Sequence, residues 1–279
     1  MSQRGRSAVE VALAGLARMR RTMQDAQTSN ALLHAIRRGE IVVYYQPIID
    51  MVEGRIVGVE ALARWIRPDG TMVQPDAFIP AAERTGAVVE LDREVLRLAA
   101  HEVAGASVAH GQVGLSVNVS AARIVQPDLL DDVRTVLADS GLDPRMLHLE
   151  ITETSLIQDI DTAAANIRAL RTLGVKVAID DFGVGQTSMG YIDDFTVDVV
   201  KIDRSFVSKA KDCPRTASLV GGLINLFEGM GLEVVGEGVS CAEEYSLMAS
   251  LGCKLAQGFY IGHPTPWSDV EPRLRAAAV

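Results

Sequence analysis

The sequence is poor in cysteine, positive charge, aromatic residues and long apolar runs, and each shortage closes off a class of protein. Only three cysteines, Cys213, Cys241 and Cys253, occur in 279 residues. They form no CxxC pair and lack metal-ligand spacing, so neither a disulfide framework nor a zinc site is expected, and a reduced cytoplasmic setting is. Lys and Arg number 27 against 36 Asp and Glu, a net charge of −9. A DNA or RNA polymer needs a broad excess of cations to meet its phosphates, and is therefore not an expected partner. A small phosphate ligand stays compatible, because metal ions and a few local cations can neutralise it. The apolar stretch over residues 9–17 is interrupted by Glu10 and runs into Arg18, Arg20 and Arg21. A membrane span needs about 20 apolar residues, so none is expected, nor is a secretory signal. The five histidines, among them His34, His101 and His263, show no paired metal spacing.

What is present is an ordinary globular balance, 48% hydrophobic and 23% charged. Val9, Leu13, Leu16 and Met23 recur at roughly helical spacing, which predicts an amphipathic lead-in helix over residues 1–30. Such a helix either caps the bottom of the fold or serves dimerisation or coupling to a sensor. Residues 31–279 read as one domain. Eight short apolar, β-branched runs follow at 41–48, 55–65, 113–120, 147–153, 176–183, 197–206, 232–239 and 253–261. Helix-like segments lie between most of them, at 78–110, 127–140, 160–173, 215–230 and 242–251. The alternation predicts an α/β fold, a modified (β/α)8 TIM-type barrel, with a doubly wound open sheet as the alternative. The link MVEG between the first two runs is too short for a helical crossover, so those strands should be antiparallel.

Polar residues fall where the apolar runs end: Glu60, Asn118, Glu150, the pair Asp180 and Asp181, Lys201, Glu237 and Gln257. In a barrel these ends converge on the face that holds active sites. Carboxylates crowded into one mouth repel one another unless cations neutralise them. Hard oxygen ligands in this number suit Mg²⁺ or Mn²⁺ and exceed the needs of one ion. Two ions could activate water and stabilise displacement at phosphorus, with Lys201 and Arg64 supplying further positive charge. Blander readings exist residue by residue. Glu60 could be a rim carboxylate, Asn118 a turn-capping amide, and Lys201 a structural lysine paired with Asp198 or Asp203. The paired carboxylates of a glycosidase are a chemical rival, but sugar platforms are often aromatic and aromatics make up only 5% here. The DFG at residues 181–183 lacks the companion motifs of a kinase, and GVGQTSMG lacks the lysine of a P-loop.

The motifs YYQPI, EALARW, FIPAAERTG, SVNVS, LEITE, AIDDFGVG, VVKID, GEGV and AQGFYIGHP occur in that order between Ile36 and Pro266. In this the sequence resembles the EAL-domain family of cyclic di-GMP phosphodiesterases, whose name is spelled by Glu60, Ala61 and Leu62. The resemblance implies a barrel with an antiparallel first strand and cleavage of one phosphodiester of cyclic di-GMP to linear pGpG. It implies metal binding, by two ions, through Glu60, Asn118, Glu150 and Asp180, with Asp181 and Glu237 assisting the second. Lys201 would orient the attacking water, and Glu153 would brace the loop after AIDDFG. Gln46, Leu62, Arg64 and Gln257 would contact the dinucleotide. A homodimer formed near that loop is also implied. Two positions depart from the family pattern. The loop reads DFGVGQTS where active members read close to DFGTGYSS, and Ser240 stands where a further Glu usually follows GEGV. A catalytically weak module that receives cyclic di-GMP or a protein partner is the alternative function. No GGDEF-type sequence precedes residue 36, so regulation is expected from oligomerisation, the lead-in helix or a separate protein.

Overall fold

The computed structural model describes residues 3–110, 113–152, 159–184 and 196–275. Its strands are β1 (Ile41–Asp50), β2 (Arg55–Ile66), β3 (Met72–Val73), β4 (Gly114–Asn118), β5 (Leu147–Thr152), β6 (Lys176–Phe182), β7 (Val199–Ile202), β8 (Glu233–Gly236) and β9 (Leu255–Gln257). They run in the order β1-β9-β8-β7-β6-β5-β4-β2, and pairing of β1 with β2 closes the circle. The two-residue β3 is an extra hairpin partner at the far end of β2. The result is a closed (β/α) barrel of eight strands. β2 and β4 to β9 are mutually parallel, whereas β1 is antiparallel to both its neighbours. The MVEG link makes this possible. The Asp50 carboxylate accepts the amides of Val52 and Glu53 at 2.8 and 2.9 Å, and Gly54 supplies the left-handed residue at φ 64°.

Three expected boundaries move, each for a local reason. The lead-in helix extends past residue 30 as α1 (Gln3–Arg37), because Leu32 and Ala35 continue its buried side against the core. The segment 78–110 is two helices, α2 (Pro75–Thr85) and α3 (Val88–His110). Gly86, at φ 80°, ends the first in a left-handed cap. The apolar run 197–206 is a strand only as far as Ile202. Asp203 accepts the Ser205 amide at 2.9 Å and thereby starts the helix Arg204–Asp212. A second helix, Pro214–Gly229, follows it.

Side chains alternate between two faces along each strand. Leu115, Val117, Leu147, Leu149, Ile151, Val177, Val200 and Ile202 belong to the main core, which they share with helix residues such as Ile167, Ile224 and Phe227. The opposite face points into the barrel, where Ile48, Ala178, Val199 and Val235 form a separate apolar plug. A step of two residues beyond that plug on the parallel strands leads from Ala178 to Asp180, from Val199 to Lys201 and from Val235 to Glu237. On the reversed β1 the same step leads backwards, from Ile48 to Gln46. Strand periodicity thus sets a polar layer directly on an apolar one.

Candidate active site

Lys201 is the centre of that polar layer, with its side chain only 1% exposed. Its ammonium lies 2.6 Å from a Glu237 oxygen, 2.7 Å from Glu150, 3.3 Å from Asp180 and 3.5 Å from Glu60. Neither Asp198 nor Asp203 is its partner. Asp198 pairs with Arg171 at 2.8 Å, and Asp203 caps the helix that follows β7. Glu60 is not at the end of its strand. It sits in the middle of β2, opposite Gln46 on β1 and Ser116 on β4, and the β1–β2 ribbon continues beyond the mouth. The Asn118 amide donates to Glu60 at 2.8 Å. The Gln257 amide donates to Glu60 at 2.5 Å and to Gln46 at 3.2 Å. Gln46 in turn donates to the Gly262 carbonyl at 3.1 Å.

The two adjacent acids near the end of β6 both face the mouth. Plain alternation would send Asp181 to the opposite face, but its backbone takes a left-handed conformation at φ 54°. That conformation is uncommon outside glycine, and Asp is among the residues that tolerate it. Asp180, Asp181 and Glu237 each offer an oxygen, and these oxygens lie within 4.8 Å of one another.

Charge in this layer is unbalanced. Burial, followed by the pull of Lys201 and the repulsion of Glu60 and Asp180, leaves the Glu150 carboxyl pushed up to about 8. Burial also raises Glu237 well above the ordinary range, with Asp180 and Glu60 adding to it. Burial raises Asp181 as well, together with the nearby charge of Asp180. For Lys201 burial works the other way, but the surrounding carboxylates overcome it and raise the ammonium well above its usual value. One lysine therefore serves four carboxyl groups. The side-chain oxygen of Gln257 is buried without a hydrogen-bond partner. Clustered hard oxygens whose ionisation is held back for want of positive charge fit a divalent cation such as Mg²⁺ or Mn²⁺.

Above this layer opens a cavity of about 950 Å³ lined by Gln46, Glu60, Asp181, Glu237 and Gln257, and also by Asp203, Arg204, Ser205, Ser240, Gly258 and Phe259. In the second group, Asp203 and Ser240 are named from the sequence in other roles, while Arg204, Ser205, Gly258 and Phe259 come from loops and a helix start, where no periodicity marks them. Phe259 is 60% exposed and stacks on His263 at 4.3 Å. Gly258 is required by close packing, since a Cβ there would lie 2.1 Å from the Val239 carbonyl oxygen. Ser240 donates its amide and hydroxyl to Glu244 at 2.7 and 2.8 Å. Leu62 and Arg64 follow Glu60 at steps of two along β2 and do not line this cavity. Arg64 lies over the Tyr44 ring at 5.4 Å, and burial lowers its pKa. Glu153 and the loop positions Gln186 and Thr187 lie outside the described residues; Val184 is described and exposed.

A second cavity, of about 570 Å³, opens at the other end of the barrel and reaches Glu150 and Lys201 from beneath. Arg55, Arg145, Lys176, Glu228, Glu233 and Lys254 are among its lining residues.

Fold and site together define an α/β barrel whose C-terminal mouth gathers carboxylates around a buried lysine. Residues 29–264 match the family model for the EAL domain, and the chain belongs to that family. Cyclic di-GMP phosphodiesterase NbdA of Pseudomonas aeruginosa is 34% identical over 92% of this chain and 33% of its own length. The bifunctional diguanylate cyclase/cyclic di-GMP phosphodiesterase MucR of the same organism is also 34% identical, over 87% of this chain and 36% of its own. A solved structure of PaMucR phosphodiesterase in complex with c-di-GMP superposes with a TM-score of 0.81 at 33% identity, covering 88% of this chain and 99% of that one. The chain spans about a third of the length of the curated relatives it matches. Among the described residues, no helix is long and apolar enough to cross a membrane.

Proposed function

We propose that this domain hydrolyses one phosphodiester bond of cyclic di-GMP to give linear pGpG, using Mg²⁺ or Mn²⁺, with two ions as the working number. The observation that carries this reading is the charge imbalance at the mouth, one buried lysine among Glu60, Glu150, Asp180 and Glu237. Bound divalent ions would supply a Lewis acid for the phosphate and lower the pKa of a water. Glu60, Asn118, Glu150 and Asp180 would hold the first, and Asp181 and Glu237 would assist with the second. The Asn118 and Gln257 amides orient Glu60 by donating to its two oxygens. Lys201, kept protonated by its neighbours, acts as a hydrogen-bond donor that positions the attacking oxygen and does not remove its proton. Gln46 and Gln257 would hold the dinucleotide at the cavity wall, with Leu62 and Arg64 meeting it from the β1–β2 ribbon. The exposed ring of Phe259 offers a flat apolar face to a base. A reduced cytoplasmic setting agrees with the free thiols of Cys213, Cys241 and Cys253. The homodimer implied by the family resemblance belongs to the same proposal.

A second reading, a receptor that binds the dinucleotide without turning it over, is favoured by the altered loop beginning at Val184. Purified protein with cyclic di-GMP and Mg²⁺, Mn²⁺ or EDTA separates the two. Metal-dependent pGpG that vanishes in Glu60→Ala supports the phosphodiesterase. Tight binding with no product in either metal would replace it by the receptor.

A further inference from the structure

α1 has two faces, and the barrel uses only one. Asp25, Ser29, Leu32 and Ala35 are buried. Asp25 pairs with Arg84 of α2 at 2.7 Å, and the Ser29 hydroxyl donates to the Ala81 carbonyl at 3.2 Å. Met19, Met23, Ala26 and Asn30 lie on the far side, roughly 140° around the helix axis at 100° per residue, and all four are exposed. Met19 and Met23, at 58% and 61% exposed, are among the most exposed large apolar side chains described. Gly15 and residues 17–24 are exposed on every side. A helical segment with nothing packed against it among the described residues lacks the tertiary contacts that normally stabilise helices.

The exposed residues follow an alternating step of four, three and four. In the sequence the same alternation extends back through Leu16, Ala12 and Val9. Seven positions from residue 9 to residue 30 thus obey the heptad spacing that makes two helices wind about each other. We infer that α1 pairs with α1 of a second copy of this chain as a parallel two-stranded coiled coil, with Met19, Met23 and Ala26 in the seam and Asn30 at its barrel-proximal end.

The pattern selects this occupant. With Val9, Leu16, Met23 and Asn30 as the a positions, Arg20 falls on the e position. In a parallel pair it faces Gly15 of the second copy, and Gln27 faces Thr22, so no like charges meet across the seam. A polar Asn at one a position is a device for setting register. The barrel-contacting side of each helix points away from the seam, which places the two barrels outside the coil. This contact is separate from a dimer face near the loop after Asp181 and does not depend on the activity of the mouth.

The test uses the full chain. Met23→Cys is compared with Arg21→Cys, which lies on the outward f position, after mild oxidation, with disulfides mapped by mass spectrometry. A disulfide joining position 23 of two chains, with little at position 21, is the expected result, because only a parallel in-register pair brings an a position against itself. Met19→Glu combined with Met23→Glu should weaken self-association by about tenfold or more in sedimentation velocity, while the thermal melt of the barrel stays in place. A chain that is monomeric at micromolar concentration overturns the inference. So does equal cross-linking at positions 21 and 23, or a position-23 disulfide that adding Met19→Glu leaves undiminished. A dimer that survives the double substitution, in a chain whose Met23→Cys form gives no such disulfide, belongs to another face and equally overturns the α1 pairing. Binding of the monomer to vesicles containing anionic lipid, lost in the same double variant, would assign this face to a membrane surface instead.

Discussion

The two ends of the barrel carry similar numbers of charged groups and treat them in opposite ways. At the N-terminal end cations and anions are matched one to one: Lys176 with Glu233 at 2.8 Å, Lys254 with Glu228 at 2.9 Å and Arg145 with Asp143 at 2.6 Å. These pairs are largely exposed, so each contributes little. At the C-terminal end one buried lysine meets four carboxylates. Balanced exposed charge is a solvated rim. Unbalanced buried charge costs stability and persists in natural proteins where a cation or a reaction uses it.

The sharpest way to break this contrast is to remove the buried lysine. Lys201→Ala leaves four carboxylates without their partner, and the metal-free protein should lose about 3–5 kcal/mol. Turnover should fall on the order of 10²–10³-fold, as for loss of an oriented donor at a reacting oxygen. Denaturant melts in EDTA and initial rates in Mn²⁺ measure the two. A variant as stable as the parent in EDTA would mean that protons, and not Lys201, neutralise the layer.

Metal titration distinguishes the ends directly. Mg²⁺ or Mn²⁺ at 100 times its dissociation constant should stabilise the parent by about 2.7 kcal/mol. Asp181→Asn should reduce that gain, and Glu233→Gln at the opposite end should leave it intact. Equal loss in both variants, followed by calorimetry, would erase the assigned difference.

Asp92 of α3 sharpens the comparison from outside both ends. Burial, opposed by the hydrogen bond from Ser120, leaves its carboxyl pushed up to about 7, and its oxygen accepts the Ser120 amide at 2.9 Å. A carboxyl raised in the folded state binds more protons there than in the unfolded chain, so its contribution to stability falls as pH rises from about 4 to 7. Asp92→Asn keeps an acceptor and removes that loss. The melting temperature of the variant relative to the parent should therefore climb across this range and level off above it, by roughly 2–4 °C for each kcal/mol recovered. A pH-independent difference would show that Asp92 is ionised in the folded protein.

What could be read from sequence follows from periodicity. Eight apolar runs marked the barrel strands, and the MVEG link marked the antiparallel first strand because no crossover fits four residues. The steps from Ala178 to Asp180, Val199 to Lys201 and Val235 to Glu237 put those polar residues on the interior face for the same reason. Properties that belong to single backbone angles escaped. Gly86 breaking one expected helix into two is of this kind, as is Asp181 turning back to the mouth at φ 54°. Contributions from a helix start, such as Arg204, and from a loop, such as Phe259, carry no periodic signal. Glu60 was legible as a mouth residue but not as a mid-strand one, because the β1–β2 ribbon outruns the barrel it belongs to.

The smallest effect tests the quiet end. Lys176 and Glu233 have side chains 34% and 48% exposed at 2.8 Å, so water screens their attraction while both pay the entropy of being held. A double-mutant cycle of Lys176→Ala and Glu233→Ala should give a coupling of about 0.2–1 kcal/mol. It should shrink further at 1 M salt, where the screening length is about 3 Å. Turnover should stay at the parent level in all three variants. The second cavity nevertheless reaches Lys201 and Glu150 from this side. A coupling of several kcal/mol, or a matching loss of turnover, would therefore mean that the two ends are linked through the barrel interior and that the matched rim helps to set the charge of the mouth.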